Sequence, residues 1–188
     1  MMQHAPLFIV LLPVSAALLC MLFSRIQKNL GSWIVIGSIA AAFMSAVTVL
    51  QQVIADGGKP IHYWMGNWQP PLGIEFVIDP ISGVLAVLIT FISLLGSLYS
   101  LPFVKEEGWL HIGGYYTLYG LMTVGMCGMV ITGDVFNLYV FLEIASLACY
   151  GLIALGGNKS TLAAFRYLLI GTIGASFYLL GVGYLYAL

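Results

Sequence analysis

The chain has 188 residues, of which 61% are hydrophobic and 7% charged, with a mean hydropathy of +1.04. A soluble domain carries about 25% charged residues and a disordered one fewer apolar residues still, so both classes are excluded. The formal net charge of −1 offers nucleic acid no basic surface, and the three cysteines, all in apolar stretches, suggest neither a disulfide framework nor a zinc cluster.

Crossing about 30 Å of hydrocarbon takes roughly 20 apolar residues in a helix. The first such stretch runs from about Pro6 to Phe23; Arg25 and Lys28 follow it, and the lack of a basic segment before it argues against a cleaved signal peptide. The second runs from about Ser32 to Ala55, with Gly37 and Ala41 as small residues for helix contact. The long connection from Asp56 to Asp79 carries Lys59, the interface aromatics Tyr63, Trp64 and Trp68, and Pro70-Pro71. Its segment Ile74 to Ile78 alternates like a short surface strand. Asp79-Pro80 reads as an N-cap and first helical residue, opening a third helix to about Leu101, after which comes Lys105. The fourth runs from about Ile112 to Ile131; its Met122, Met126, Cys127 and Met129 read as gap-filling packing rather than a copper site. Asp134, after Thr132-Gly133, caps a fifth helix from Val135 to about Leu155, the competing role for this acid being ion handling. The turn Gly156-Gly157-Asn158 and Lys159 lead into a sixth helix from about Thr161 to Tyr186, with Gly171, Gly174 and Ala175 as contact residues.

None of the six stretches has the two-residue alternation of barrel strands. The expected fold class is therefore an all-α integral membrane protein, one transmembrane helical unit over residues 1–188. Five of the six basic residues face or border one side, which makes that side cytoplasmic and places both ends of the chain outside a multi-pass cell-membrane protein.

Glu143 is the one carboxylate well inside a span, nine residues past Asp134 or about 13 Å along the helix, near the bilayer midplane. Tyr139, Ser146 and Tyr150 share its face at helical spacing and form a polar stripe able to hold a file of water. Burial raises a carboxyl pKa and a nearby cation lowers it, and a group balanced between the two suits a proton carrier. The competing reading is a neutral glutamic acid tying helices together. Arg166 lies within about 5 Å of the same depth in the adjacent helix, where it either couples to Glu143 or snorkels to the cytoplasmic boundary. His4, His62 and His111 lie near helix ends and form no cluster. No HExxH, G-x-S-x-G or phosphate-binding glycine loop is present, so no catalytic centre or cofactor is expected in this chain.

The run Thr132-Gly133-Asp134-Val135-Phe136-Asn137-Leu138-Tyr139-Val140-Phe141-Leu142-Glu143 resembles the fifth-helix signature of the antiporter-like proton-translocating subunits. These include the D-type subunits of Mrp cation/proton antiporters, the matching subunits of membrane-bound hydrogenases, and the N-, M- and L-type subunits of complex I. Ala164 to Gly171 is similar to that family's sixth-helix start, where lysine is commoner than the Arg166 found here, and Phe76 to Gly83 resembles its third-helix entrance. The resemblance implies the N-terminal part of a fourteen-helix subunit built from two inverted five-helix repeats. It also implies that Glu143 pairs with a lysine on a seventh helix, and that protons move through lysines, histidines and water along the midplane. The partners it implies are other membrane subunits of a multisubunit complex, including a chain that supplies the later helices; where such a complex is an oxidoreductase, electron chemistry sits on other subunits. The rival reading is a structural or assembly subunit with no ion path of its own.

Overall fold

The computed structural model describes residues 4–27, 29–68, 73–104 and 109–187. The helices are α1 (Ala5–Ile26), α2 (Leu30–Ala55), α3 (Pro80–Val104), α4 (Trp109–Ile131), α5 (Val135–Ala154) and α6 (Asn158–Ala187), and a hairpin of β1 (Ile61–Trp64) and β2 (Glu75–Ile78) separates α2 from α3. All six helices are long and apolar enough to cross a membrane. The fold is thus all-α and multi-pass, as the hydropathy requires, and most helix ends fall within three residues of expectation. The third helix runs three residues past Leu101, through Pro102 in its last turn. Lys28, Lys105 and Pro70-Pro71 lie outside the described residues.

Helices α1 to α4 form a group in which α1 packs on α2 and α4, and α3 bridges α2 and α4; α5 then rests on α4, and α6 on α5. One core, of Ile9, Val49, Val53, Val124, Cys127 and Ile131, lies toward the hairpin, and the second, of Cys20, Val35, Ile39, Ile112 and Tyr116, toward the opposite end. Cys127 is fully buried in the first, so this member of the sulfur set serves packing. Close helix contacts run through glycines. A Cβ on Gly31 would overlap Ser24 and Cys20, one on Gly125 would meet Ala145, and one on Gly128 would run into the Phe141 ring. Gly37, Ala41 and Gly174 are instead exposed, which corrects the expected contact set: Gly37 and Ala41 lie across the helix from the buried Val35, Ile39 and Ala42.

The expected strand forms at β2, and it pairs antiparallel with β1, which the sequence pattern does not announce. Phe76 and Ile78 point inward and are almost fully buried, closing one end of the bundle; the Phe76 ring lies 6.3 Å from that of Phe141 in α5. On the other face, Glu75 Oε1 accepts from His62 Nδ1 (2.7 Å) and Trp64 Nε1 (2.9 Å). Asp79 and Ser82 form a reciprocal box at the start of α3, the Ser82 amide donating to Asp79 Oδ1 (2.7 Å) and the Asp79 amide to Ser82 Oγ (2.8 Å). These bonds hold the Glu75 carboxyl below its ordinary pKa, chiefly through His62, and the Asp79 carboxyl below its own, chiefly through the Ser82 amide.

A carboxyl with a depressed folded pKa stabilises above its unfolded value and loses that contribution as pH falls through the folded one. The thermal midpoint of the extracted protein should therefore drop on acidification below about pH 4, and drop less in Glu75→Gln. Phe76→Ala removes a buried ring that closes the bundle and should cost about 3–5 kcal/mol, read as a lowered thermal midpoint.

Candidate functional site

The α4–α5 turn is built from the hairpin outward. The Gly133 amide donates to the Glu75 carbonyl (2.9 Å), and Thr132 bridges Phe76, so the turn extends the β2 edge. Asp134 caps α5 as expected, accepting from the amides of Phe136 (3.1 Å) and Asn137 (3.2 Å). The buried Asn137 side chain donates to Thr132 Oγ1 (2.9 Å) and locks the turn. Tyr186 at the far end of α6 donates to Asp134 Oδ1 (2.7 Å), and Tyr178 to the Val135 carbonyl (3.2 Å). His4, at the start of α1, bonds Tyr63 of the hairpin (2.9 Å), so the start of α1 and the end of α6 share the hairpin side.

Helix α5 has two working faces. Asn137, Phe141, Ala145 and Ala148 are buried, and Phe141 and Ala145 meet the α4 glycines. At about 100° per residue, Tyr139, Glu143, Ser146 and Tyr150 lie on the opposite face. That face meets α6: Tyr139 stacks on Tyr178 (6.1 Å, 10° between planes) and Tyr150 stands edge-on to Tyr167 (4.7 Å, 80°). Glu143 sits between these two contacts, the ninth of 20 residues in α5, so the residue count places it near mid-helix as expected. The polar stripe is therefore a seam between α5 and α6. Tyr150 is buried, whereas Tyr139, Ser146 and Glu143 are half-buried.

Arg166 does not join this seam. Helix α6 turns Ala164, Leu168, Gly171, Ala175, Tyr178 and Val182 inward, at alternating spacings of four and three. Arg166 comes two residues after Ala164, about 200° around the helix, and is exposed. No ion pair joins it to Glu143; among the described residues the one ion-pair contact is His62 with Glu75. Of the two alternatives for Arg166, coupling to Glu143 finds no contact here: matching depth does not bring side chains together when their azimuths oppose.

One polar feature is not evident from the sequence pattern. Thr90, Ser93, Ser97 and Ser100 recur at spacings of three and four in α3 and are all buried. They face α4, where the Tyr119 hydroxyl donates to the Ser93 carbonyl (3.1 Å), and that of Tyr116 to the Ser97 carbonyl (3.2 Å) and lies 3.1 Å from Ser100 Oγ. The spacing is the available signal, hidden because each residue alone is ordinary in a membrane helix. The hydroxyls of Thr90, Ser97 and Ser100 donate to carbonyls of α3 itself, so the ties between the two helices come from Tyr116 and Tyr119.

Residues 132–188, covering α5 and α6, match a family model described as NADH:quinone oxidoreductase/Mrp antiporter, TM. NADH-quinone oxidoreductase subunit N of Desulforudis audaxviator is 44% identical over the full chain, which covers 37% of that protein. The D subunit of the Na(+)/H(+) antiporter of Bacillus subtilis is 31% identical, over 95% of this chain and 35% of its own length. The chain thus spans little more than a third of the relatives it matches. Among solved structures, the archaeal membrane-bound sulfane sulfur reductase superposes with a TM-score of 0.89 and 32% identity, over 98% of this chain and 37% of its counterpart. The Mrp complex from Dietzia shares the fold, with a TM-score of 0.83, 23% identity, and coverage of 99% and 34%.

Asp134→Ala should release the first turn of α5. Hydrogen exchange at the Phe136 and Asn137 amides should speed up roughly fivefold, the equivalent of about 1 kcal/mol of lost capping. Unchanged exchange would mean that the Thr132–Asn137 bond alone holds the turn.

Proposed function

We infer that the chain is an antiporter-like membrane subunit of the NADH:quinone oxidoreductase and Mrp antiporter kind, corresponding to the N-terminal part of such a subunit, and that it serves in a multisubunit complex that moves protons or cations across a membrane. The observation that carries this reading is the placement of Glu143: the one carboxylate well inside a span stands mid-helix in a seam of hydroxyls. A carboxylate at that depth costs several kcal/mol unless it is hydrated, paired or protonated. Its half-burial leaves one side open to water or to a neighbour that supplies a cation.

In this mechanism Glu143 alternates between carboxylic acid and carboxylate. Tyr139, Ser146 and Tyr150 line the water file that brings the proton and takes it away. The cation that favours the charged form comes from a further helix, in this polypeptide or a partner, lying against the open side of the α5–α6 seam. Arg166 faces away from that seam, so its role is to anchor α6 near the boundary or to contact another subunit. The side bearing Arg25 and Lys159 is cytoplasmic and the hairpin side outward, in line with the positive-inside rule. The chain acts as one transmembrane unit of the cell membrane. The exposed apolar face of α6, including Phe165, Ile170, Ile173 and Phe177, is covered by lipid or by other membrane subunits.

Glu143→Gln keeps the shape and removes the titration. In the intact complex it should abolish translocation, measured as proton or cation flux in sealed vesicles, while subunit composition on a native gel is unchanged. Normal flux in that variant would remove Glu143 from the path. A complex that fails to assemble would favour the structural alternative, in which Glu143 ties helices together.

A further inference from the structure

The hairpin side holds an open cavity of about 740 Å³ between the start of α1, the end of α2 and β1. Two left-handed turns frame it. Gly57 and Gly58 (φ +72° and +82°) fold the chain back after α2, and Gly66 and Asn67 (φ +65° and +62°) turn it after β1. Glycine and asparagine take this conformation at least cost. His4 Nδ1 and the Tyr63 hydroxyl, 2.9 Å apart, join the α1 side to the hairpin. The lining is rich in acceptors. Asp56 ends α2, whose last turn has no basic residue, so its carboxylate adds to the negative end of the helix dipole. Among the described residues it makes no ion pair, and Lys59, three residues on, lies outside the lining. Glu75 sets the tautomer of His62: a carboxylate only accepts, so Nδ1 donates to it (2.7 Å), and the neutral ring keeps Nε2 as an acceptor. Asn67 adds an amide oxygen, and Tyr63 and Trp64 bring aromatic rings.

We propose that this cavity binds a guanidinium group, with Asp56 as its charged partner and His62 Nε2 as a second acceptor. An anion is rejected, since a carboxylate and a helix C-terminus share the wall and no lysine or arginine does. A metal ion fits poorly: among the described residues no three of His, Cys, Asp and Glu gather closely enough to hold one. Acceptors spread around a cavity of this size suit a wide, planar donor with several N–H groups. Aromatic walls favour the same weakly hydrated cation. Glu75 is the positioning residue, holding both His62 and, through Trp64 Nε1 (2.9 Å), the ring beside it. The guanidinium is free in solution or carried by an arginine of a neighbouring subunit, and the recognising atoms are the same. Occupancy would tie the ends of α1 and α2 to the hairpin, whose β2 carries the α4–α5 turn. The site stands apart from Glu143 and does not depend on its proton-carrying role.

The test uses the intact complex in detergent and two probes of one shape, butylguanidine and its neutral counterpart butylurea. If the site fills from solution, saturation-transfer NMR should show saturable binding of butylguanidine and none of butylurea. The affinity should fall about tenfold or more in Asp56→Asn, and less in His62→Phe, which keeps a ring but removes the acceptor. If a neighbouring subunit fills the site, the probe should not bind. A photo-crosslinking residue placed at Asn67 should then join the chain to an arginine-bearing peptide of a co-purifying subunit, and Asp56→Asn should abolish that product. Asp56 is exposed, so the thermal midpoint of Asp56→Asn should match the parent and separate lost binding from lost folding. Equal binding of the two probes, or butylguanidine affinity unchanged in Asp56→Asn, overturns the proposal. So does the absence of probe binding together with no cross-link, a cross-link to a peptide without arginine, or one that survives Asp56→Asn.

Discussion

The rotation of α5 about its own axis is the constraint from which the site follows. In lipid no hydrophobic force draws helices together, so close packing at small residues sets their faces. Gly125 and Gly128 of α4 admit Ala145 and Phe141 of α5 so closely that no side chain would fit at either glycine. With Phe141 and Ala145 committed to α4, the face half a turn away has one place to go, and it carries Tyr139, Glu143, Ser146 and Tyr150 to α6. A different rotation would have buried the carboxylate in the apolar cluster around Val124 and Cys127, where ionisation costs most.

The hairpin fixes the height at which this happens. Phe76 touches Phe141, and the Glu75 carbonyl holds the Gly133 amide, so strand, turn and helix share one hydrogen-bonded edge. Asp134 then serves both neighbours, capping α5 and accepting from Tyr186 of α6. The α5–α6 pair is thus anchored at the hairpin end by hydrogen bonds and along its length by Tyr139–Tyr178 and Tyr150–Tyr167. Rigid ends with a polar, partly open middle are what the proposed role of Glu143 requires, since its charge would then change while the helices stay in place.

Much of this was legible in the sequence because the relevant physics is local. Span length fixed six helices, the Asp134 and Asp79 caps announced two helix starts, and helical spacing put four polar residues on one stripe. Azimuth between helices was not legible. Counting residues gives the depth of Arg166 but not its face, which depends on Ala164, Leu168 and Gly171 packing inward. Gly37 and Ala41 look as much like contact residues as Gly125 and Gly128 do, since the packing partner that distinguishes them lies on another helix. Strand β1 carried no distinct alternation and exists because β2 offers it an edge. That Gly171 leaves room for the Tyr150 hydroxyl, where a Cβ would overlap it, is likewise a property of the folded seam.

The most direct test of the central claim is difference infrared spectroscopy on the intact complex during turnover, with Glu143→Gln as the subtraction. If Glu143 carries the proton, a carboxylic acid band should appear and vanish with turnover, shift in heavy water and be missing from the variant. A turnover spectrum unchanged by the substitution would mean that Glu143 keeps one protonation state throughout, and the seam would then be a structural joint.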